Sequence, residues 1–321
     1  MTGRPGITAI AYALPACSRS VRELGAAGQL QTDPEVLENF GFGRVHIAVA
    51  ESPYELAYRA AARLLEEHAV DAASIDLVIY SGPPGTLSLT PAAQPWNGAA
   101  LSSTARFQYP GTLLQYALGL LNASVLGIDQ LACSTLFGAL RVARSLCVTE
   151  GIERVLCVHA EFFPAAAGRE AVFNCTSDAA CAVLVERVAL RNCIAASVHV
   201  TKGYYWDGDA LKNEIVASYF PTSKHVIERV IAAAGWNAAD VDWIIPHNVS
   251  LRSWELLLSL LALPNTRLWT DNIARYGHSL AGDNFINLRD ALDGGAVRPG
   301  QKLILFSYGY GAHWTALAVE A

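Results

Sequence analysis

Cys133 is the residue in this sequence whose type and position most directly suggest chemistry. It follows a strand-like stretch, 124–132, and precedes a predicted helix that begins near Leu136. A thiol at such a corner faces the free N–H groups and the positive dipole end of the helix, and both stabilise the nucleophilic thiolate. A cysteine among alanines and leucines is more often a small packed core residue. The residues predicted to lie near Cys133 therefore decide between a catalytic role and a packing role.

Two histidines are the candidate partners of this thiol. His247 ends a predicted buried strand, 241–246, and Asn248 follows it. His278 lies just before a second predicted helix, in the stretch Tyr-Gly-His-Ser-Leu-Ala-Gly-Asp. One thiolate and two imidazoles at corners between elements fit covalent acyl transfer, in which the thiolate attacks an ester or thioester and the imidazoles move protons or bind an oxyanion. Histidines at strand ends are also often ordinary surface residues.

An aspartate and a glycine-rich stretch complete the candidate site. Asp283 is a possible acid, although a carboxylate at a helix start can equally serve as a cap. Gly309, Tyr310 and Gly311 form a stretch that we expect to follow the last strand. Glycines there would let backbone N–H groups approach a substrate oxygen, whereas the alternative is a tight turn between the final strands. The sequence has no glycine-rich phosphate-binding motif, so we expect no nucleotide cofactor.

Helix-like and strand-like segments alternate around these residues. Such an order predicts an α/β fold in which helices cover the sheets. The predicted helices are 55–68, 113–123 and 136–147, and the predicted strands are 76–80, 124–129 and 154–158.

An internal repeat organises the chain. Residues 70–80 align without gaps on 236–246, and 133–143 align on 281–291, which brings Phe137 into register with Phe285. We therefore expect two duplicated halves: residues 1–170 with the nucleophilic cysteine, and residues 171–321 with the two histidines. Since ligands of open α/β sheets gather beyond the carboxyl ends of strands, equivalent corners of the halves should meet at one site.

Composition excludes several other classes of protein. The 321 residues are 52% hydrophobic and 16% charged, with a net charge of −6 and no basic cluster, which argues against nucleic-acid binding. Mean hydropathy is +0.27, yet no apolar run approaches the roughly 18 residues of a membrane span, so we expect no membrane association and a cytoplasmic location. The seven cysteines lack disulfide or zinc spacing and should be reduced thiols, mostly buried. The excess of apolar residues favours a homodimer.

Taken together, these motifs resemble the thiolase-like condensing enzymes, specifically the β-ketoacyl-ACP synthase III group, over nearly the whole chain. The matching positions are Phe107, Pro110, 130–134, 154–161, 178–184, 242–252 and 275–292. The resemblance implies a thiolase-like five-layered αβαβα fold, a homodimer, and acyl transfer from a CoA or ACP thioester through Cys133 without a cofactor. It also assigns His247 as the family's catalytic histidine, 309–311 as its glycine loop and Arg252 as a docking position for acyl carrier protein.

The sequence departs from this group at the second polar partner of the cysteine. His278 stands where asparagine is usual and resembles the second histidine of elongating ketosynthases. Two imidazole donors would support decarboxylation of a malonyl-type extender. A Cys133, His278 and Asp283 arrangement would instead resemble divergent members that transfer an acyl group to an alcohol or amine. Tyr310 interrupts the glycine loop, which would narrow the pocket, and the tryptophan usual near Val36 is absent, which favours a carrier-protein donor.

The sequence thus predicts a ketosynthase III-type acyltransferase of specialised polyketide or fatty-acid-derived metabolism. It would take an acyl group from an ACP or CoA thioester onto Cys133 and condense it with a malonyl-type or β-keto thioester. Acyl transfer to an alcohol or amine without carbon–carbon bond formation is the alternative. A noncatalytic partner subunit of a condensing heterodimer is a further alternative, since fold does not fix function.

Overall fold

The computed structural model describes residues 3–82, 89, 107–164 and 166–321. In this part of the chain the strands are β1 (Arg4–Ala13), β2 (Ser18–Ser20), β3 (Arg44–His46), β4 (Leu77–Ser81), β5 (Ser124–Ile128), β6 (Arg154–Glu161), β7 (Glu170–Ala171), β8 (Asn174–Cys175), β9 (Ala179–Ala189), β10 (Cys193–Thr201), β11 (Trp243–Pro246), β12 (Lys302–Gly309) and β13 (His313–Glu320). The α-helices are α1 (Val21–Ala26), α2 (Pro34–Asn39), α3 (Pro53–Glu67), α4 (Pro110–Ala117), α5 (Thr135–Thr149), α6 (Lys212–Ala233), α7 (Leu251–Leu260), α8 (Asp271–Tyr276) and α9 (Asp283–Asp293).

The order of strands reveals two equivalent halves. The described residues form a nine-stranded sheet in the order β11-β12-β13-β10-β1-β9-β6-β4-β5. The first half contributes β4, β6, β9 and β1, with β5 added at the edge parallel to β4. The second half contributes β11, β12, β13 and β10, and in each set of four the first pair is parallel and the others are antiparallel. The halves join at the Gly6 and Cys193 pair of β1 and β10. The duplication predicted from the sequence is confirmed.

The repeat also holds for individual side chains. One-turn helices at Ala72–Ser74 and Ala238–Asp240 precede β4 and β11 in the same register. An aspartate follows each turn: the Asp76 carboxylate accepts the N–H of Arg154 at 2.9 Å, and the Asp242 carboxylate accepts the N–H of Lys302 at 2.7 Å. Each carboxylate therefore ties the start of one strand to the start of its parallel neighbour.

Alternation of side chains along the strands produces five layers. On β4, Leu77 faces a central core with α5 and α9, while Val78 faces an outer core with α3. On β12, Leu303 faces the same central core, while Ile304 faces a second outer core with α6 and α7. Successive strand residues point to opposite faces, so each half has one helix-covered face outside and one inside. The predicted αβαβα order is confirmed.

The central layer explains the small number of charges in the sequence. Helices α5 and α9 lie between the two halves of the nine-stranded sheet, here called the first and second sheets. The equivalent residues Phe137 and Phe285 are both fully buried, with ring centroids 5.2 Å apart. A helix enclosed on two sides can be apolar around most of its circumference. Burial of this central layer accounts for the high mean hydropathy of the sequence.

The junction between the halves lies later than the predicted boundary at residue 170. Strand β9 falls in the expected second half, yet it pairs along its length with β1, from Arg4 opposite Ala189 to Ala13 opposite Ala180. It therefore belongs to the first sheet, and the second half begins with β10. The predicted helix 113–123 is also shifted: α4 begins at Pro110, whose fixed φ suits the first turn, and is followed by Gly119 at φ +66°.

The cysteines are free and mostly buried, as predicted. Cys133, Cys147, Cys157, Cys175 and Cys181 are buried, whereas Cys17 is exposed. Within the described residues, no helix has the length and apolar character needed to cross a membrane. The same residues contain no group of three or more His, Cys, Asp or Glu side chains that could hold a metal ion.

Candidate active site

The predicted nucleophile lies at a sharp turn before the central helix α5. Cys133 occupies the one-turn helix Ala132–Ser134, and α5 begins at the residue that follows this turn. Gln130 and Ala132 take left-handed φ values of +66° and +45°, which non-glycine residues adopt rarely and at a cost of about 1–3 kcal/mol each. The strained turn places Cys133 at the positive end of a fifteen-residue helix, where a thiolate is stabilised.

A hydrogen-bonded relay connects Cys133 to the second half of the chain. The Cys133 Sγ lies 3.2 Å from His278 Nε2, and His278 Nδ1 lies 2.5 Å from Asp283 Oδ2. The fully buried Asp283 also accepts from the N–H and hydroxyl of Ser279 and from the N–H of Asn248, each at 2.6 Å. These donors fix the carboxylate, so Asp283 holds the imidazole of His278 in place.

The charges in this relay determine the protonation of His278. Burial alone would lower the pKa of His278, but the negative charges of Asp283 and Cys133, with the hydrogen bonds to both, raise that pKa well above its usual value. His278 is therefore an imidazolium, with its Nε2–H directed at the sulfur of Cys133. A cysteine beside such an imidazolium can attack a thioester carbonyl, and the imidazolium can then protonate the thiolate that leaves.

His247 lies beside the relay but in a different protonation state. Its Nδ1 is 3.2 Å from the carbonyl oxygen of Phe306, and because that oxygen only accepts, Nδ1 must carry the hydrogen. Burial and the charge of His278 lower the pKa of His247 to about 3, so the ring is neutral. Its Nε2 consequently has a lone pair. The sequence predicts that the imidazoles move protons or bind an oxyanion, and this tautomer of His247 fits proton transfer as a base alone.

The connection before His278 differs from the sequence prediction of a strand-to-helix corner. His278 does precede α9, but the helix α8, not a strand, comes before it. Backbone bonds hold it instead: the His278 N–H donates to the Cys175 carbonyl at 2.7 Å, and the Ser177 N–H donates to the His278 carbonyl at 2.8 Å. The segment after β8 therefore positions this histidine.

The three reactive side chains, Cys133, His247 and His278, line a largely apolar cavity of about 610 Å³. The aromatic residues in the wall include Phe163, Phe173, Tyr219, Phe220, Tyr308 and Tyr310. A cavity of this size accommodates a medium-sized acyl group or the arm of a thioester substrate.

Two polar residues of the cavity were given no role by the sequence. Glu161 ends β6 and faces the cavity, and burial raises the pKa of its carboxyl to about 7, although the charge of His278 opposes this shift. Its position at the carboxyl end of a strand was an available signal. Tyr219 lies on the long helix α6, where no local pattern distinguishes it.

The predicted glycine stretch packs against the nucleophile turn. It does not follow the last strand: Gly309 ends β12, and β13 begins four residues later, so the stretch is the turn of the final hairpin. A Cβ atom on Gly309 would lie 2.1 Å from the Leu131 carbonyl oxygen and 3.2 Å from the Cys133 nitrogen. Glycine is thus required for the backbone to approach the nucleophile. Tyr310 lines the cavity, as expected for a residue that narrows it.

The predicted docking position lies at the edge of the cavity. Arg252 is the second residue of α7, has a 67% exposed side chain and donates to Glu255 at 2.8 Å. Val36 is an exposed residue of α2, and Phe40, at the end of that helix, lines the cavity. The end of α2 and the start of α7 are neighbours at this edge, where the Leu251 N–H donates to the Phe40 carbonyl at 2.9 Å.

Comparisons with known proteins agree with this fold. A family profile described as 3-oxoacyl-[acyl-carrier-protein] synthase III C terminal matches residues 231–321. The β-ketoacyl-[acyl-carrier-protein] synthase III of Rhodobacter capsulatus is 25% identical over the full length of both chains. The crystal structure of 3-oxoacyl-[acyl-carrier-protein] synthase III from Aquifex aeolicus VF5 superposes with a TM-score of 0.83, at 22% identity, over 99% of this chain and 100% of that one.

A polyketide enzyme has the same fold. The priming β-ketosynthase of the R1128 polyketide biosynthetic pathway gives a TM-score of 0.77 at 20% identity, over 100% of this chain and 97% of that one. The chain therefore has the fold of these condensing enzymes. In sequence it is similar to the β-ketoacyl-ACP synthase III proteins, in agreement with the sequence resemblance.

Proposed function

We propose that this protein is a ketosynthase III-type acyltransferase that takes an acyl group from an ACP or CoA thioester onto Cys133. The observation that carries the proposal is the continuous relay from Cys133 through His278 to Asp283 beside a large apolar cavity. The thiolate attacks the thioester carbonyl, and the developing oxyanion accepts from the backbone N–H groups of Cys133 and Gly309, whose backbones lie against each other. As the C–S bond breaks, the His278 imidazolium protonates the departing thiolate, which leaves as a thiol, and the acyl-enzyme remains with His278 neutral.

The second half-reaction that we propose is condensation with a malonyl-type or β-keto thioester. Asp283 favours reprotonation of His278 from solvent once the first thiol has left. Loss of carbon dioxide from a malonyl thioester then leaves an enolate, whose oxygen accepts from His278 Nε2–H. The enolate carbon attacks the acyl carbonyl and releases the Cys133 thiolate beside the imidazolium. The relatives' synthase names support this assignment, and the departures at His278, Tyr310 and Val36 favour specialised polyketide or fatty-acid-derived metabolism.

Acyl transfer to an alcohol or amine is the second candidate, and the relay itself favours it. After the first thiol leaves, neutral His278 has an Nε2 lone pair and can take a proton from an alcohol or amine as it attacks the acyl group. The thiolate and imidazolium are then restored without a proton from solvent. The retained Cys133 and its relay disfavour a noncatalytic partner subunit.

The remaining proposals concern partners and location. The reaction needs no cofactor beyond the acyl-ACP or acyl-CoA substrate. The exposed Arg252 at the edge of the cavity suits an acidic carrier protein. A homodimer would cover apolar surface such as Leu121 and Tyr116, which are 79% and 78% exposed. Carrier-protein chemistry supports a cytoplasmic site of action.

Acylation and decarboxylation measured together test this function. The wild type should form an acyl-enzyme from acyl-ACP or acyl-CoA, seen by intact mass, and then release carbon dioxide from a malonyl thioester. His278→Ala should lose both activities, whereas His225→Ala, an exposed histidine of α6, should retain them. An acylated wild type that transfers its acyl group to amines or alcohols without releasing carbon dioxide supports the second candidate. A wild type that forms no acyl-enzyme contradicts both.

A further inference from the structure

Tyr219 places a phenolic hydroxyl inside the candidate site. Its ring lies edge-on to Tyr308, with centroids 5.4 Å apart and an interplanar angle of 88°, and edge-on to Phe220 at 5.1 Å. The hydroxyl oxygen is 3.5 Å from His247 Nε2. The aromatic neighbours therefore fix the ring, while the hydroxyl lies next to a catalytic candidate.

The tautomer of His247 determines how this hydroxyl points. The Phe306 carbonyl holds the hydrogen on Nδ1, so Nε2 accepts and Tyr219 must donate. A distance of 3.5 Å is at the outer limit of a hydrogen bond. The O–H is consequently held only weakly and can turn to a stronger acceptor that enters the cavity.

The condensation step needs a second hydrogen-bond donor to the enolate oxygen. An enolate oxygen is stabilised best by more than one preorganised donor. His278 Nε2–H supplies one, but His247 has no Nε2 hydrogen to supply another. The Tyr219 hydroxyl lies beside that nitrogen and lines the same cavity as Cys133 and His278. Burial raises the pKa of Tyr219 above its usual value, so the hydroxyl keeps its proton at neutral pH.

We propose that Tyr219 is a catalytic residue of the second half-reaction, donating its O–H to the enolate oxygen of the acceptor thioester. The inference rests on the condensation proposed above. As the bond to the carboxylate breaks, carbon dioxide leaves and its electron pair moves onto the thioester oxygen, which accepts from Tyr219 and from His278. No proton is transferred from Tyr219, and its hydroxyl returns to His247 Nε2 when the enolate carbon attacks the acyl group.

Tyr219→Phe separates this role from a structural one, because it removes the hydroxyl and keeps the ring. The rate of Cys133 acylation, followed by intact mass, should stay within about twofold of wild type. Carbon dioxide release from a malonyl thioester by the preformed acyl-enzyme should fall about 10–100-fold, as expected for loss of one oxyanion donor of moderate strength. The fall should appear in kcat, with the KM of the malonyl thioester little changed. Tyr54→Phe, on the outer helix α3, is the matched control and should leave both steps unchanged.

Three outcomes would overturn the inference. Equal carbon dioxide release by Tyr219→Phe and wild-type acyl-enzymes would refute it and leave the proposed function intact. An equal loss of acylation and decarboxylation in Tyr219→Phe would assign the hydroxyl to the whole site rather than to the second step. A wild-type acyl-enzyme that releases no carbon dioxide would refute the condensation, and with it the role of Tyr219.

Discussion

Replacing Asp283 with asparagine removes the charge of the relay while keeping its shape. The amide has one oxygen, so it can accept from His278 Nδ1 and Asn248 N–H only if its N–H₂ group faces Ser279. The Ser279 hydroxyl can rotate and accept from the new amide. The backbone N–H of Ser279 cannot, and it is left without an acceptor, which lowers the free energy of unfolding by about 1–3 kcal/mol. The variant should therefore fold with reduced stability.

The larger effect of Asp283→Asn should be on acylation. A hydrogen bond to a charged group contributes about 1.5–3 kcal/mol, against about 0.5–1.5 for a neutral one, so the imidazolium loses roughly 1–2 kcal/mol. That loss lowers the pKa of His278 and, felt in full at the transition state, slows acylation about 5–30-fold. The thiolate and imidazolium pair is lost as pH rises through the pKa of His278, so this decline should move to lower pH in the variant.

Rapid quenching followed by intact mass measures the acylation rate directly. Asp290→Asn is the matched control, because Asp290 lies on the same helix and accepts from Tyr12 at 2.9 Å and from Asn272 at 3.0 Å, away from the cysteine. It should lose stability and keep the wild-type acylation rate. A folded Asp283→Asn variant that acylates within threefold of wild type would refute the relay.

Two further predictions concern the cavity and its edge. The pKa of the Glu161 carboxyl is raised to about 7, so above pH 7 this group is charged and should repel a malonyl carboxylate. The KM of a malonyl thioester should therefore rise above pH 7 in wild type but not in Glu161→Gln. Parallel pH profiles of KM in the two proteins would contradict this. Arg252→Glu should raise the KM of acyl-ACP about fivefold or more at low salt, with acyl-pantetheine unaffected. The control is Arg298→Glu, because Arg298 is exposed and lies before β12. This variant should leave the KM of acyl-ACP and of acyl-pantetheine unchanged. An equal rise of the KM of acyl-ACP in both arginine variants would refute the docking role of Arg252.

The fold was predictable because its main features are local and repeated. The aspartates at 76 and 242 recur because each tethers a strand start, and Phe137 and Phe285 recur because each packs at the centre of the molecule. The boundary between the halves was not predictable in this way. Strand β9 belongs to the first half only through its pairing with β1, which lies more than a hundred residues away in sequence.

The candidate site was predictable in its residues but not in their protonation or pairing. Asp283 begins α9, a position where a capping role is equally reasonable, and the structure shows no side-chain cap there; the oxygens accept from His278, Ser279 and Asn248 instead. The tautomer of His247 depends on the carbonyl of Phe306. Both contacts join distant segments, so no local pattern could reveal them.

The contact of Tyr219 with His247 was likewise not predictable from the sequence of its helix. Residues of α6 alternate between the outer core and the cavity, and the sequence does not show which of its aromatic side chains reaches His247. The packing of α6 against the hairpin of β12 and β13 decides this.

Intact mass of wild type and Cys133→Ala after incubation with an acyl thioester tests the central claim most directly. With Cys17 and Cys193, the cysteines that are not fully buried, replaced by alanine in both proteins, the protein that keeps Cys133 should gain the mass of one acyl group. The Cys133→Ala protein should gain none, because burial raises the pKa of Cys147, Cys157, Cys175 and Cys181 and leaves them poor nucleophiles. An undiminished adduct on Cys133→Ala would contradict the account.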